Sequence, residues 1–208
     1  MRKRFLLASS AAVMAACAAL GALPFVSSAS AAEAPAEEIA VVEELTWEGT
    51  PVCGWGEVRK NLHCEGKALS IGGVGYDYNS IGTHLPASNA PQDIVYDISD
   101  YSAIYPYLTL GVGMPDGASN AAKFSVLVDD VVADTVVYTS SGGTTPAPMT
   151  MRAYVKDAAK VTLRLEWGGA GYADGACAFT DVRLQKETEG RVFANRTLSR
   201  LNTSATGY

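Results

Sequence analysis

The segment Val161-Thr-Leu-Arg-Leu-Glu-Trp167 alternates between apolar and polar residues along its whole length. Its odd-numbered positions are apolar, whereas the even-numbered positions hold Thr162, Arg164 and Glu166. Successive side chains of a β-strand point to opposite faces of a sheet, so this spacing predicts a strand with one buried and one solvated face. The segment therefore predicts a sheet that is covered by a second layer on its apolar side.

Similar short segments recur along the chain, rich in Val, Ile, Leu, Thr and Tyr and separated by clusters of Gly, Pro, Asn, Asp and Ser. This pattern is typical of all-β proteins, and no stretch shows helical periodicity over three turns. The predicted strands lie near residues 40–47, 55–63, 68–73, 80–84, 93–98, 106–112, 122–129, 132–138, 149–156, 160–167 and 178–184. We therefore predict an all-β fold, a two-sheet antiparallel β-sandwich of the jelly-roll type.

Residues 1–32 have the pattern of a secretory signal peptide. Basic residues 2–4 precede an uncharged apolar run over 5–26, and Ala29-Ser-Ala31 matches a peptidase cleavage site. An uncleaved membrane anchor and a lipoprotein attached at Cys17 are the alternatives, and the apolar run that continues past Cys17 disfavours the second. We expect cleavage, which leaves no membrane span and places the protein outside the cell or at its surface.

The rest of the chain divides into three parts. Residues 33–38 are an acidic spacer that contains proline, residues 39–185 hold the predicted strands, and residues 186–208 are a polar tail that we expect to be disordered. The middle part is long enough for one hydrophobic core. We therefore predict a single sandwich domain.

The charge balance is acidic, with 16 Lys and Arg against 22 Asp and Glu and a formal net charge of −6. Cleavage of the signal peptide removes basic residues only, so the exported part is more acidic still. Phosphate binding needs a basic patch, so we expect no nucleic-acid partner.

Three cysteines remain after cleavage, Cys53, Cys64 and Cys177. Export permits disulfides, and Cys53 and Cys64 flank a short segment that resembles two strand pieces around a turn. We therefore predict a bridge between Cys53 and Cys64. For Cys177 we expect a buried free thiol, because a catalytic thiolate would need His63 or His84 as its base.

Signatures of catalysis are sparse. The chain has no Gly-x-Ser-x-Gly, His-Glu-x-x-His or P-loop pattern, and Gly72-Gly-Val-Gly75 does not open a helix, as a dinucleotide-binding loop would. The acidic pair Asp129-Asp130 is expected to form a turn at a strand end. We therefore expect that the protein is not an enzyme.

The segment from Ile71 to His84 combines glycines, aromatic residues and a histidine. Tyr76 followed by Ile81-Gly-Thr-His84 resembles the Tyr-x-x-Gly-Ile-Gly-Thr-His signature of the NPCBM/NEW2 domain, also classed as carbohydrate-binding module family 51. The resemblance covers residues 40–185. Further segments resemble the family's later strands in the same order, namely Ile94–Ile98, Leu108–Val112, Phe124–Asp130, Val161–Leu165 and Phe179–Leu184.

The resemblance implies a β-sandwich that binds sugars without catalysis, often galactose-type glycans, in association with a glycoside hydrolase. It also implies a structural Ca²⁺, with ligands that the sequence does not identify. Sugar binding needs an aromatic platform and a few fixed polar groups. The candidate ligand-binding residues are Tyr76, Thr83, His84, Tyr172 and Asp174. The alternative role of His84 is structural, tying the Gly-Thr-His turn to a neighbouring strand.

The chain departs from the family at three places, one of which is an extra residue in the turn Tyr78-Asn-Ser80. Where the family commonly has Asp-His-Ala-Asp-Trp before its last strand, this chain has Gly175-Ala-Cys-Ala-Phe179. The family's carboxylate after Val-Gly-Val is replaced by Gly113, with Asp116 three residues further on. These losses support an alternative function, a β-sandwich that acts as a structural or protein-interaction module at the cell surface and binds no sugar.

Overall fold

The computed structural model describes residues 37–86, 90–169 and 175–186. The predicted signal peptide, Tyr172, Asp174 and nearly all of the polar tail lie outside these ranges. The elements are β1 (Glu38–Ala40), α1 (Val41–Glu44), β2 (Arg59–Lys60), β3 (Ser70–Ile71), β4 (Val74–Gly75), β5 (Ile81–His84), β6 (Gln92–Asp97), β7 (Tyr107–Gly113), β8 (Ser119–Val128), β9 (Val131–Ser141), β10 (Met149–Tyr154), β11 (Lys160–Trp167) and β12 (Ala176–Gln185).

The strands form two main antiparallel sheets. One has six strands in the order β10-β7-β12-β5-β2, with β1 also paired to β12, and the other has four in the order β6-β11-β8-β9. Strands β3 and β4 make a separate hairpin. The prediction of an all-β sandwich is confirmed.

The hydrophobic core lies between the two sheets. The edge-to-face pair Phe124–Phe179, with ring centroids 5.4 Å apart, joins β8 of one sheet to β12 of the other. The apolar face of β11 is buried from Val161 to Leu165, as its alternation predicts. Trp167 is partly buried against this core, and its indole N–H donates to the carbonyl of Pro86 at 2.8 Å.

Three predicted strands are much shorter than expected, and within 68–73 only Ser70–Ile71 forms the first strand of the hairpin. Within 40–47, β1 gives way to the single turn α1, in which Val41 and Val42 are both buried. Within 55–63 only Arg59–Lys60 is extended. Left-handed backbone at Gly56 and Asn61, with φ of 70° and 59°, interrupts the strand on both sides.

The predicted Cys53–Cys64 disulfide needs correction, because all three described cysteines are free thiols. The backbone N–H of Glu57 donates to the carbonyl of Cys64 at 3.1 Å, so Cys64 lies opposite Glu57 rather than Cys53. The thiol of Cys53 instead donates to the carbonyl of Trp55 at 2.9 Å. Cys177 is fully buried and forms no disulfide, as expected.

The central strand β12 contains a bulge, and the side chain of Asn79 forms a hydrogen bond with its backbone there. The register between β12 and β7 shifts between Thr180 and Arg183. Along its other edge, β12 pairs with β5 before this shift and with β1 after it. Asn79 is fully buried at this gap. Its carboxamide oxygen accepts from the N–H of Val42 at 3.0 Å, and its NH₂ donates to the carbonyl of Val182 at 2.9 Å.

Substituting Asn79→Ala should lower the free energy of unfolding by about 3 kcal/mol, because two buried backbone groups lose these partners. Denaturant unfolding at neutral pH measures the change. Asn79 has a φ of 49°, so Asn79→Gly is the matched variant that keeps the backbone relaxed and removes only the amide. Stability of Asn79→Gly equal to that of the unchanged protein would show that the amide contacts contribute nothing.

The carboxylate of Asp116 attaches the β3–β4 hairpin to the body of the sandwich. It accepts hydrogen bonds from the N–H groups of Gly72 and Gly73, both at 3.0 Å, and from the N–H of Thr145 at 2.9 Å. Burial alone would raise its pKa, but hydrogen bonds from Thr145, Ser70 and Gly73 outweigh that effect and lower the pKa to about 2. The ionised form of Asp116 is therefore favoured by folding.

A lowered folded-state pKa predicts stability that is complete above the usual pKa of 3.8 and lost as the pH falls to about 2. Asp116→Asn should therefore be about 1–2 kcal/mol less stable at neutral pH, with a difference that vanishes over that window. Melting curves between pH 7 and pH 2 measure it. Asp157→Asn, in an exposed turn, is the control, and an equal loss in both variants would contradict the role of Asp116.

Candidate functional site

Of the predicted site residues, the structure describes Tyr76, Thr83 and His84, and it does not bring these three together in one place. Tyr76 lies on the outer face of the six-stranded sheet, where it packs on Leu69, Ile71 and Ala178. His84 ends β5 and is partly buried. Tyr172 and Asp174 lie outside the described residues, so their place relative to His84 stays a prediction.

Thr83 points into the space between the sheets and is fully buried. Its hydroxyl accepts a hydrogen bond from the carboxamide of Gln92 at 2.7 Å and lies 3.7 Å from the thiol of Cys53. A sugar cannot reach this hydroxyl from solvent. Its burial favours a structural link between β5 and β6, and its contact with a ligand stays a prediction.

His84 joins the end of β5 to the start of β12. Its Nδ1 lies 3.0 Å from the carbonyl of Leu85, and its Nε2 accepts from the N–H of Gly175 at 3.3 Å. This pair of contacts assigns the proton to Nδ1. The arrangement supports the structural alternative for His84, and it places the ring beside Gly175, the first described residue after the 170–174 segment.

A loop that sequence reasoning missed lies against the outer side of β5, and we call residues 53–67 the Trp55 loop. Its contact with β5 is so close that a Cβ on Gly82 would be 2.0 Å from the carbonyl oxygen of Leu62. Within the loop, a Cβ on Gly56 would be 2.5 Å from the carbonyl oxygen of Cys64. Glycine at both positions therefore allows the loop to fold back on itself and on the sheet.

Trp55 is the most exposed aromatic side chain among the described residues, at 66 %. The loop holds its backbone in place, since the Cys53 thiol donates to its carbonyl at 2.9 Å, and the Glu65 carboxylate lies near its side chain. Lys67 pairs with the same carboxylate at 2.8 Å. The result is a largely exposed indole with a carboxylate and an ammonium group nearby.

The electrostatics of the Trp55 loop keep Glu65 ionised. Hydrogen bonding and charge from Lys67 lower the pKa of Glu65, with smaller contributions from His63 and Trp55. The second carboxylate of the loop, Glu57, pairs with Arg59 at 2.8 Å. Both acids are therefore matched by a cation and can accept hydrogen bonds from a ligand.

The sequence contains one signal for this loop, an aromatic residue between Gly54 and Gly56 in a segment where alternation fails. The prediction of a strand over 55–63 did not identify this loop. The contact of Trp55 with Glu65 spans ten positions and depends on the fold of the whole loop. No periodicity in the chain predicts it.

Tyr76 lines a different feature, a depression of about 400 Å³ on the outer face of the six-stranded sheet. We call it the outer-face groove, and its lining includes Tyr76, Gly111, Pro148, Thr150, Arg152 and Arg183. Burial and then the charge of Asp181 raise the pKa of the Tyr76 phenol. The phenol is therefore neutral at physiological pH and able to donate a hydrogen bond into the groove.

The described residues offer no clear site for the calcium ion that the resemblance implies. No group of three or more His, Cys, Asp or Glu side chains in 37–86, 90–169 and 175–186 could hold a metal. Asp116 and Asp129 instead accept hydrogen bonds from backbone N–H groups. Calcium binding stays a prediction, and a melting temperature that falls in EDTA would support it.

The only helix in the described part of the chain is α1, which has four residues. No helix there has the length and apolar character needed to cross a membrane.

Comparison with known families identifies one match, the NPCBM/NEW2 domain, whose sequence model matches residues 39–185. A search of curated proteins finds no match. The family match includes every strand described above except the first residue of β1.

Several solved structures are similar to this chain. One is CBM51 from Clostridium perfringens GH95 in complex with methyl-galactose, with a TM-score of 0.58 and 25 % identity, covering 71 % of this chain and 99 % of that one. A second is CBM51-2 in complex with GlcNAc and INT domains from Clostridium perfringens ZmpB, with a TM-score of 0.56 and 21 % identity, covering 73 % of this chain and 32 % of that one.

A third is the M60 catalytic domain with the CBM51-1 and CBM51-2 domains of Clostridium perfringens ZmpB, with a TM-score of 0.57 and 24 % identity. The match covers 73 % of this chain and only 15 % of that one. At these identities the two ZmpB structures show the fold alone. The chain spans nearly all of the isolated module and a small part of the multidomain proteins.

Proposed function

The chain belongs to the NPCBM/NEW2 domain family and has the fold of carbohydrate-binding modules, and on this premise we propose that it is an exported, non-catalytic module for galactose-type glycans. The proposal places the sugar at the Trp55 loop. The observation that carries it is the exposure of the Trp55 side chain, at 66 %, beside the Glu65 carboxylate.

The Trp55 ring has the properties that sugar recognition requires. An aromatic face packs against the C–H groups of a sugar ring, and binding is stronger when the face does not have to be ordered first. The backbone of Trp55 is held within the loop by its contact with the Cys53 thiol, so little backbone freedom is lost on binding. A sugar stacked on this ring would have the Glu65 carboxylate and Lys67 ammonium within reach of its hydroxyls.

Galactose suits this arrangement because its axial 4-hydroxyl leaves one face of the ring apolar. That face would lie on Trp55, and the hydroxyls at the ring edge would point towards Glu65 and Lys67. The similar module whose structure was solved with methyl-galactose supports the choice of sugar. Paired carboxylate and ammonium groups supply both an acceptor and a donor, which suits a neutral ligand.

The charge pattern of the loop supports a role without catalysis. A glycosidase needs two carboxyl groups at a set separation, one of them with a raised pKa so that it can donate a proton. The pKa of Glu65 is instead lowered, and Glu57 is paired with Arg59. The proposed site therefore binds sugar through fixed ions and transfers no proton.

Export and a catalytic partner complete the proposal. The basic, apolar and small-residue segments of residues 1–32 support export, which would bring the module to polysaccharides outside the cell. Similar modules occur with GH95 and with an M60 catalytic domain. We propose that this chain likewise directs a glycoside hydrolase to its substrate.

One observation favours a second candidate function, a protein-interaction module at the cell surface. The edge strand β9 exposes Val131, Val132 and Val137, at 71 %, 57 % and 50 %. An edge strand with apolar side chains can pair with a strand of another protein. Under this alternative the chain would bind no glycan.

Substituting Trp55→Ala should weaken binding to immobilised galactose-containing glycans by about tenfold or more, because the stacking surface is lost. The melting temperature should stay nearly unchanged, because the ring packs on little of the core. Affinity pull-down and calorimetry with methyl β-galactoside measure the binding.

Tyr78→Ala is the matched control, since Tyr78 is another exposed aromatic residue, at 57 %, in a turn outside the Trp55 loop. It should bind galactose as the unchanged protein does. Equal affinities of the Trp55→Ala protein and the unchanged protein would refute the placement of the site. Absence of any glycan binding by the unchanged protein would favour the protein-interaction alternative.

A further inference from the structure

The outer-face groove is built by three neighbouring strands whose outward side chains lie in register. Thr109 of β7 lies opposite Arg152 of β10 and Arg183 of β12. In the next row, Gly111 lies between Thr150 and Thr180. The groove therefore presents two rows of polar side chains across adjacent strands. None of its lining residues belongs to the Trp55 loop.

The bulge in β12 makes this surface denser in polar groups than a regular strand could. In regular alternation Thr180 and Asp181 would point to opposite faces. The left-handed backbone at Asp181, with a φ of 48°, turns its side chain to the exposed side, and both residues line the groove. Bulges redirect side chains in this way beside many binding sites.

The shape of the groove depends on Gly111 and Pro148. A Cβ at Gly111 would lie 2.4 Å from the hydroxyl oxygen of Thr180 and 3.2 Å from the Cβ of Pro148. The absence of a side chain at Gly111 therefore leaves room for the floor of the groove, and Tyr76 and Pro148 contribute to its walls. The volume of about 400 Å³ is in the range of small-ligand sites.

An aromatic pair extends the surface at one end. Tyr107 lies opposite both Tyr154 and Gln185, in the row next to the arginines. The rings of Tyr107 and Tyr154 are 5.4 Å apart between centroids, and Tyr154 is 59 % exposed. From Tyr107 to Gly111 the surface is about 14 Å long, which suits a short oligosaccharide better than one sugar.

The charges of the groove are matched within the protein. Arg183 pairs with Glu38 and lies 3.4 Å from Asp181. The backbone N–H of Arg152 donates to Asp134 at 3.2 Å, which brings a carboxylate close to that arginine. The groove therefore offers donors and acceptors without a large net charge. Such a surface favours a neutral ligand with many hydroxyls over an ion.

From the register, the concave floor, the aromatic pair and the matched charges, we infer that the outer-face groove is a second glycan-binding site, which takes a neutral oligosaccharide of about three sugars along β7. Its sugar rings pack on Tyr154 and Tyr107 at one end, and its hydroxyls bind Arg152, Thr109 and Thr150. The site is separate from the Trp55 loop, so either site can fail without the other.

Amide NMR titration of the full chain tests the inference with three probes, methyl β-galactoside, β-1,4-galactotriose and trigalacturonic acid. Galactotriose should shift the amide signals of Thr109, Thr150 and Arg183. The monosaccharide should affect them at least about tenfold more weakly, because it spans only part of the groove. Trigalacturonic acid should also bind more weakly, since Glu38 and Asp181 repel its carboxylates.

Arg152→Gln and Tyr154→Ala should each weaken galactotriose binding in the groove by about tenfold. The matched controls are Lys123→Gln, which removes an exposed cation from the other sheet, and Tyr78→Ala, which removes an exposed aromatic ring elsewhere. Both controls should bind as the unchanged protein does. Trp55→Ala should leave the groove signals unaltered.

The inference is overturned if galactotriose leaves the groove signals unshifted, or if Arg152→Gln and Tyr154→Ala bind it normally. Loss of all galactotriose binding in Trp55→Ala alone would assign the ligand to the Trp55 loop and also overturn it. If the chain forms a dimer and Tyr154→Ala dissociates it, the groove binds a second copy of the chain, and the inference is overturned. Shifts from methyl β-galactoside confined to the Trp55 loop, together with shifts from galactotriose in the groove, would support the proposed function and the second site together.

Discussion

The hydrogen bonds of Asn79 at the bulge of β12 are the constraint on which the rest of this structure depends. Strand β12 lies in the middle of the larger sheet and pairs with β7, β5 and β1. At the bulge its ladder is broken, and a buried carbonyl and a buried N–H would be left without partners. The side chain of Asn79 binds the carbonyl of Val182, and its main-chain oxygen accepts from the N–H of Val182 at 3.3 Å.

The bulge also separates the Trp55 loop from the outer-face groove along the larger sheet. Before it, β12 pairs with the Ile81–His84 strand, against which the Trp55 loop packs. At and after it, Asp181 and Arg183 turn outward into the outer-face groove. One irregularity in a central strand therefore supports two polar surfaces, while Phe179 before it and Val182 within it stay in the core.

The Asp129-Asp130 turn shows which local features the sequence could predict. Both residues have left-handed backbone, and the Asp129 carboxylate accepts from the N–H groups of Ala159 and Lys160, so the pair forms the expected turn. The buried thiol of Cys177 was also predictable, since a small apolar side chain fits an inward position of a strand. The segment 53–67 was not predictable in the same way, because its shape depends on contacts with β5.

The sequence by itself determined the fold class, the strands from β5 to β12 and the family. These follow from alternation and from motif order, which record how each residue meets water or the core within one strand. Only the tertiary structure decided that Cys53 and Cys64 stay apart, that Thr83 is buried and that Trp55 is displayed. The physical reason is that strand faces are set by neighbours along the chain, whereas loop side chains are placed by distant residues that close packing brings together.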